Sequence, residues 1–312
     1  MSAVQRLFTL DHARDALQYL PSNLPREEWA AIAAALNGEF GDGAYSLFDE
    51  WSATAANYHK SDAQSTWKSC SRRNCSAGTL IHIAKAYGWH PKRQQPLSSE
   101  ACLQLASERT KREADRKARA EAQEQAYNEA ATRAERILQQ ATRDASEHPY
   151  VVIKAIRPHG VKANERDLLV IPIYSALNGH LQTVQFIDRD GNKKMLTGGR
   201  CTNGCFPFSD VPNFWANAVH RSGIGEGWAT CATLAESLPR VAMFAAFSAG
   251  NLLNVAHALR ARYPNAEITV FGDNDASGIG QRYAHAAANA IGGLVAIPPT
   301  SGFDWNDMRR AA

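Results

Sequence analysis

Between His220 and Ile297, short and nearly uninterrupted apolar runs alternate with alanine-rich segments of helical spacing. That alternation leaves few folds open. His220 to Gly227 and Val241 to Phe247 read as strands, as do Ile268 to Phe271 and Gly293 to Ile297. Trp228 to Leu238, Leu252 to Arg262 and Gly278 to Ile291 read as the helices between them. Strands apolar on both faces and separated by helices predict a parallel sheet covered on two sides. In such sheets the chemistry gathers outside the carboxyl ends of the strands. Glu226, Asp273 and Asp275 all fall at such ends.

The run Ile268-Thr-Val-Phe-Gly-Asp273-Asn-Asp275 closes on two carboxylates. Two positions apart in an extended backbone, they project to the same side. Such a pair repels itself unless a cation lies between, and a hard divalent ion such as Mg²⁺ takes oxygen ligands of this kind. Carboxylates after a strand also serve as turn formers and helix caps, so both readings stand for the pair. Asn274 between them reads as an exposed turn residue.

The rest of the chain divides by composition. Residues 8–90 carry helical apolar spacing at His12 to Leu20, Arg26 to Leu36, Tyr45 to Ala53 and Gly78 to Gly88, punctuated by Pro21, Pro25, Gly38, Gly41 and Gly43. Trp29, Trp51, Trp67 and Trp89 read as packing residues of that helical domain. Residues 91–148 are rich in Glu, Lys, Arg, Gln and Ala, good helix formers with few large apolar residues, and predict an exposed linker helix. Residues 149–210 predict a small β-rich subdomain, with strands at Leu168 to Tyr174 and Leu181 to Ile187 joined through Asn178-Gly179. Residues 211–312 hold the parallel sheet. The expected fold class is α/β: a parallel sheet flanked by helices, preceded by a small antiparallel sheet, with a separate N-terminal all-α domain and a helical linker.

Four strings, in order and spacing, carry a resemblance: Gly225-Glu-Gly-Trp-Ala-Thr230, Phe247-Ser-Ala-Gly-Asn-Leu252, Asp273-Asn-Asp275 and Asp304-Trp-Asn-Asp307. Over about residues 149 to 308 the chain resembles the Toprim DNA primases of phages, plasmids and integrating elements. Trp51-Ser52, Trp67 and Tyr87-Gly-Trp89 resemble a helical module found beside such primases, standing where others carry a zinc ribbon. The resemblance implies metal-dependent nucleotidyl transfer that makes short primers on single-stranded DNA from nucleoside triphosphates. It implies Glu226, Asp273, Asp275 and Asp304 as catalytic residues, and these four with Asp307 as ligands of Mg²⁺ or Mn²⁺. Lys193, Lys194, Arg200 and Arg221 are implied as a basic floor for phosphates, and Lys68, Arg72 and Arg73 form a further basic cluster. An accessory single-stranded-DNA-binding replication factor and a metal-dependent nuclease are the competing readings.

Charge adds little, since a net +3 is only mildly basic. The six cysteines are scattered, and Cys70/Cys75 and Cys201/Cys205 fall in different domains, so no zinc site is expected. Neither a membrane-length apolar run nor a signal-peptide core is visible, and a cytoplasmic protein is expected. The sequence contains no Gly-x4-Gly-Lys-Ser/Thr phosphate loop, so a separate helicase or replication initiator is the expected partner.

Overall fold

The computed structural model describes residues 8–70, 75–90, 99–208 and 219–311. The chain divides into two compact units, Met1–Ala118 and Arg119–Ala312.

The first unit is helical: α1 (Leu10–Leu17), α2 (Arg26–Phe40), a single 3₁₀ turn (Gly41–Ala44), α3 (Tyr45–Ser52), α4 (Lys60–Cys70) and α5 (Ala77–Ala86), followed by the start of α6 (Ser99–Gln140). Its core joins Ile32, Leu36, Phe48, Trp51, Trp67, Leu80 and Trp89. Phe48 lies 5.1 Å from Trp29 and 5.5 Å from Trp67 between ring centres. Each indole N–H finds an acceptor: Trp29 donates to Ser52 Oγ, Trp51 to the Leu20 carbonyl, Trp67 to Asp42 and Trp89 to Asp15. A buried indole stays cheap only when its N–H is paired, so these rings pack the module. Helix α4 escaped the sequence reading because it is mostly polar. Its buried residues Ala63, Thr66, Trp67 and Cys70 still keep helical spacing.

Gly38, inside α2, is required by packing. A Cβ there would lie 2.1 Å from the carbonyl oxygen of Cys75. Alanine is the better helix former by about 1 kcal/mol. Gly38→Ala is nevertheless expected to destabilise the first unit by about 1–3 kcal/mol, because backbone must move. Thermal melting followed by tryptophan fluorescence checks this; an unchanged or raised midpoint would refute it.

In the second unit α6 ends, and then follow β1 (Arg143–Asp144), α7 (Pro149–Lys154), β2 (Lys162–Ala163), β3 (Leu169–Ser175), β4 (Leu181–Ile187), β5 (Lys193–Met195) and β6 (Gly204–Phe208). After the undescribed residues come β7 (Arg221–Gly225), α8 (Trp228–Ser237), β8 (Ala242–Ala245), α9 (Ala249–Arg262), β9 (Glu267–Phe271), α10 (Ile279–Ile291), β10 (Leu294–Ala296) and α11 (Trp305–Ala311). Strands β8, β7, β9 and β10 are parallel neighbours in that order. Their side chains alternate between two cores. Met243, Ala245 and Phe271 face Trp228, Cys231 and Ala232 of α8. Phe244 and Val270 face Leu252, Val255, Leu259 and Ala284 of α9 and α10. Gly223 in the central strand makes room for large neighbours, since a Cβ would meet Met243 Sδ at 2.2 Å and the Phe271 ring at 2.8 Å.

One expectation is extended and one corrected. The antiparallel strands that precede the parallel sheet are continuous with it. β6 pairs antiparallel with β3 on one side and β8 on the other, making one sheet of 10 strands. The linker of residues 91–148 is not exposed throughout. Ala130, Ala134 and Ala141 are buried, and Ala134, Ile137, Leu138 and Ala141 pack on Val170, Val184 and Phe186 of the hairpin. Alanine at helical spacing buries a face without the large residues that announce one. Among the described residues no helix is long and apolar enough to cross a membrane.

Candidate active site

Glu226 follows the central strand β7, Asp273 and Asp275 follow β9, and Asp304 precedes α11, whose chain arrives from β10. The acidic residues thus gather at one edge of the parallel sheet, where three helices begin. Each helix start exposes backbone N–H groups that favour an anionic acceptor. Glu226 accepts from the Ala249 N–H, the first of α9. Asp275 accepts from Gly280 N at 2.7 Å and Ile279 N at 3.4 Å on α10, and from Ser277 N at 2.9 Å and the Ser277 hydroxyl. Asp304 accepts from Asp307 N at 2.8 Å, while Asp307 accepts from Asp304 N at 3.2 Å, a reciprocal cap on α11. Thr230 Oγ1 donates to the other Asp304 oxygen at 3.3 Å.

Asp273 differs. Its Oδ1 is buried with no hydrogen-bond partner. Burial, then the charges of Asp304 and Glu226, push its carboxyl up to about 7, against the pull of Lys193. Burial also raises Glu226, with Asp275 adding to the effect. Asp275 is held below the usual carboxylate range by the Ser277 hydroxyl and the Gly280 N–H. Tyr150, buried beside Asp304, is pushed up to about 12 by burial and by that charge.

The geometry revises the expected ligand set. The extended-strand argument for Asp273 and Asp275 fails, because β9 ends at Phe271 and both aspartates lie in the loop beyond it. Asp275 turns to α10, and Asp307 is occupied by the α11 cap and by Lys154 at 4.0 Å. Among the described residues, no three His, Cys, Asp or Glu side chains are gathered closely enough to hold a metal ion. A cation nonetheless fits this donor set. Asp273 presents an unpaired buried oxygen inside a field of uncompensated negative charge, the condition a hard cation relieves.

The basic residues separate. Lys193 acts electrostatically on both Glu226 and Asp273. Lys194 is the next residue of β5 and projects from the opposite face. Arg200 pairs with Glu124 and lies 4.5 Å over the Tyr127 ring, which ties it to α6. Arg221 opens β7 and pairs with Glu267 at 3.0 Å, roughly 16 Å of strand away from the acidic edge. Arg221 therefore lies away from the carboxylates, and Arg200 is engaged with α6. Lys68 is exposed in the last turn of α4, and Arg72 and Arg73 lie outside the described residues.

The structure also adds residues. Asn274 is not an exposed turn residue. It is half-buried and hydrogen-bonded through its amide and its backbone. Asn306, fully buried, donates to the Lys154 carbonyl at 2.7 Å and to Thr233 Oγ1 at 2.8 Å. The sequence signal for both was their place inside the acidic motifs.

Residues 221–312 match the Toprim domain, and residues 13–84 match primase C terminal 2 (PriCT-2). Over 224 residues the chain is 35% identical to a protein described as DNA primase TraC of Escherichia coli, covering 69% of this chain and 20% of that protein. A second Escherichia coli DNA primase TraC is 30% identical over 236 residues, covering 72% of this chain and 15% of the other. The chain thus spans a fifth or less of the length of these relatives. A solved chain, the primase fragment of the bacteriophage T7 primase-helicase protein, matches with a TM-score of 0.41 at 16% identity, over 55% of this chain and 73% of that one. This is a Toprim-domain protein. It carries a PriCT-2 domain ahead of the Toprim domain, and over about two thirds of its length its sequence is similar to DNA primase TraC.

Proposed function

We propose that this chain is a DNA-dependent primase of a mobile element, joining nucleotides into short primers on single-stranded DNA. The observation that carries this is the buried, unpaired Oδ1 of the half-buried Asp273, on which the charges of Asp304 and Glu226 act, at the carboxyl edge of β7 and β9. Asp273 is the residue that would first hold Mg²⁺ or Mn²⁺, and Glu226 and Asp304 would have to close on it to complete the ligand set. Asp275 would join them only by giving up its hydrogen bonds to α10, and Asp307 serves the α11 cap. A bound cation would neutralise the charge that develops when a primer 3′-hydroxyl attacks the α-phosphate of an incoming nucleotide. Glu226, made more basic by burial, is suited to hold a proton beside that centre. Lys193 offers a positive charge to the phosphates. A separate helicase or initiator working beside the chain, in the cytoplasm, completes the reading.

The test is primer synthesis by the full chain on single-stranded DNA templates with labelled ribonucleotides and Mg²⁺ or Mn²⁺. Short products from the wild type, absent with Asp273→Ala, support the proposal. Binding without synthesis under either metal leaves an accessory factor, and cutting of the template indicates a nuclease. Lys193→Ala is expected to weaken synthesis and to reduce the slope of log affinity against log salt by about 1, as for one lost phosphate contact. Arg221→Ala, at the far end of β7, should change neither. Equal effects from the two would remove Lys193 from the site.

A further inference from the structure

Between the two aspartates stands a residue that spends nearly all of its polar groups on the loops around them. The Asn274 N–H donates to the Phe303 carbonyl at 3.1 Å, and its carbonyl accepts from Gly302 N at 2.6 Å. Its side-chain Nδ2 donates to the Pro298 carbonyl at 2.8 Å, and its Oδ1 accepts from Gln281 Nε2 at 2.7 Å. Gln281, on the first turn of α10, reaches on to the Asp275 carbonyl at 3.0 Å, and its own Oε1 is buried without a partner. Leaving a buried amide oxygen unpaired costs about 1–3 kcal/mol, so this side chain is held against a penalty. The approach is close enough to exclude any side chain at Gly280, where a Cβ would lie 2.8 Å from Asp275 Oδ2 and 2.9 Å from the Asp273 carbonyl.

The loop of residues 298–303 leads directly into Asp304, and the loop joined to it carries Asp273. We propose that Asn274, braced by Gln281, is the positioning residue that locks the loop carrying Asp273 to the loop carrying Asp304. Its consequence for catalysis rests on the reading of the site given above. The residue type follows from the contacts. Aspartate at 274 would set a carboxylate oxygen against the Pro298 carbonyl in place of an N–H donor. Alanine would leave that carbonyl without this donor and take one of its two acceptors from the Gln281 amide. Residues that orient ligating groups without touching the ion typically change metal affinity by about 10- to 100-fold when removed.

The experiment uses the full chain as wild type, Asn274→Ala, Gln281→Ala, the double variant, and Asn289→Ala on the exposed end of α10 as control. Without metal, hydrogen exchange of residues 298–304 is expected to speed up by about 10-fold or more in the first two variants, with β9 unchanged. With Mn²⁺ followed by thermal shift, half-saturation is expected to rise by about 10-fold or more, the double variant being no worse than Asn274→Ala alone. In primer synthesis the same variants should raise the metal requirement more than they lower the saturated rate. A residue that merely supported the fold would lower the melting temperature without moving half-saturation. Unchanged exchange of residues 298–304 overturns the lock. Altered exchange with unaltered half-saturation overturns its positioning role. A wild type that neither binds Mn²⁺ nor makes primers overturns the proposed function instead, while the exchange result alone decides the lock.

Discussion

Asp273→Asn is expected to abolish primer synthesis and, at pH 8 without metal, to raise the melting temperature. Both effects come from one carboxylate. Its folded value of about 7 lies above its ordinary range because of burial, Asp304 and Glu226. Between that ordinary range and about pH 7 the folded chain holds a proton that the unfolded chain has released. Stability therefore falls as pH rises through this window, and the whole penalty applies above it. That elevation corresponds to at most roughly 4 kcal/mol. Part of this returns through the neutral amide's own burial, leaving a net gain on the order of 1–2 kcal/mol, or about 3–6 °C for a unit of this size. The gain should shrink as pH is lowered from 8 toward 4, where the wild-type carboxyl is already protonated. Mn²⁺ should stabilise the wild type and not the variant. Synthesis should fall about 1000-fold or more, since several kcal/mol of charge stabilisation are lost. Melting curves at pH 5 and pH 8, with and without Mn²⁺, check all of this. A variant less stable than wild type at pH 8 without metal would show that the Asp273 charge is already compensated.

The parallel sheet was legible because its strands are buried on both faces and its helices carry ordinary apolar spacing. Ile268–Phe271 and Val241–Phe247 could be little else, and β9 and β8 fall inside them. The hairpin followed from Asn178-Gly179, with Gly179 at φ +78 and the Asn178 side chain accepting from His180 N. What stayed hidden was hidden for physical reasons. Strand β6 carries Cys205, Phe206, Pro207 and Phe208 after a glycine, with no alternation to mark it. The continuity of the sheet through β6 was therefore invisible. The packed end of α6 was concealed because alanine serves both exposed and buried helix faces.

At the site, motif order placed the acidic residues at the right edge of the sheet. Spacing alone could not say which of them were already engaged. Asp275, Asp304 and Glu226 each accept from a helix N-terminus, and that depends on how far each helix start reaches across the edge. Basic residues were legible least. Arg221 and Lys193 look equivalent in sequence, yet one lies at the amino end of β7, while the other is close enough to act on Asp273 and Glu226. Long cations choose partners through tertiary contacts that no local pattern encodes.

Asn306→Ala is expected to destabilise the second unit by about 2 kcal/mol. Asn306 is fully buried, and its amide joins the C-terminal end of α7, through the Lys154 carbonyl, to Thr233 on α8. Thr233 spends its own hydroxyl proton on the Ala229 carbonyl at 3.1 Å. Alanine would thus strip the part-buried Lys154 carbonyl and a buried hydroxyl oxygen of their donor and leave a small void. An unsatisfied buried group costs about 1–3 kcal/mol; Asn306 Oδ1 is itself buried without a partner, and its removal returns part of this, so a total near 2 kcal/mol and a fall of about 4–8 °C are expected. A neighbouring tether limits the damage, because Arg309 of α11 still pairs with Glu236 of α8 at 2.7 Å. Glu236 is held below its ordinary range: burial would raise it, but the Arg157 N–H, Arg309 and His159 outweigh that. Its contribution is present above the ordinary carboxylate range and is lost as pH falls through the lowered folded value. The two tethers therefore separate by pH, with Asn306→Ala lowering the midpoint at pH 8 while the Glu236 tether holds, and a steeper fall in acid as that tether is lost as well. Because Asp304 caps the start of α11, the variant should also lose synthesis beyond what unfolding explains at 25 °C. A midpoint within about 2 °C of wild type at pH 8 would show that the α7–α8–α11 junction is held by packing and the Glu236 pair alone.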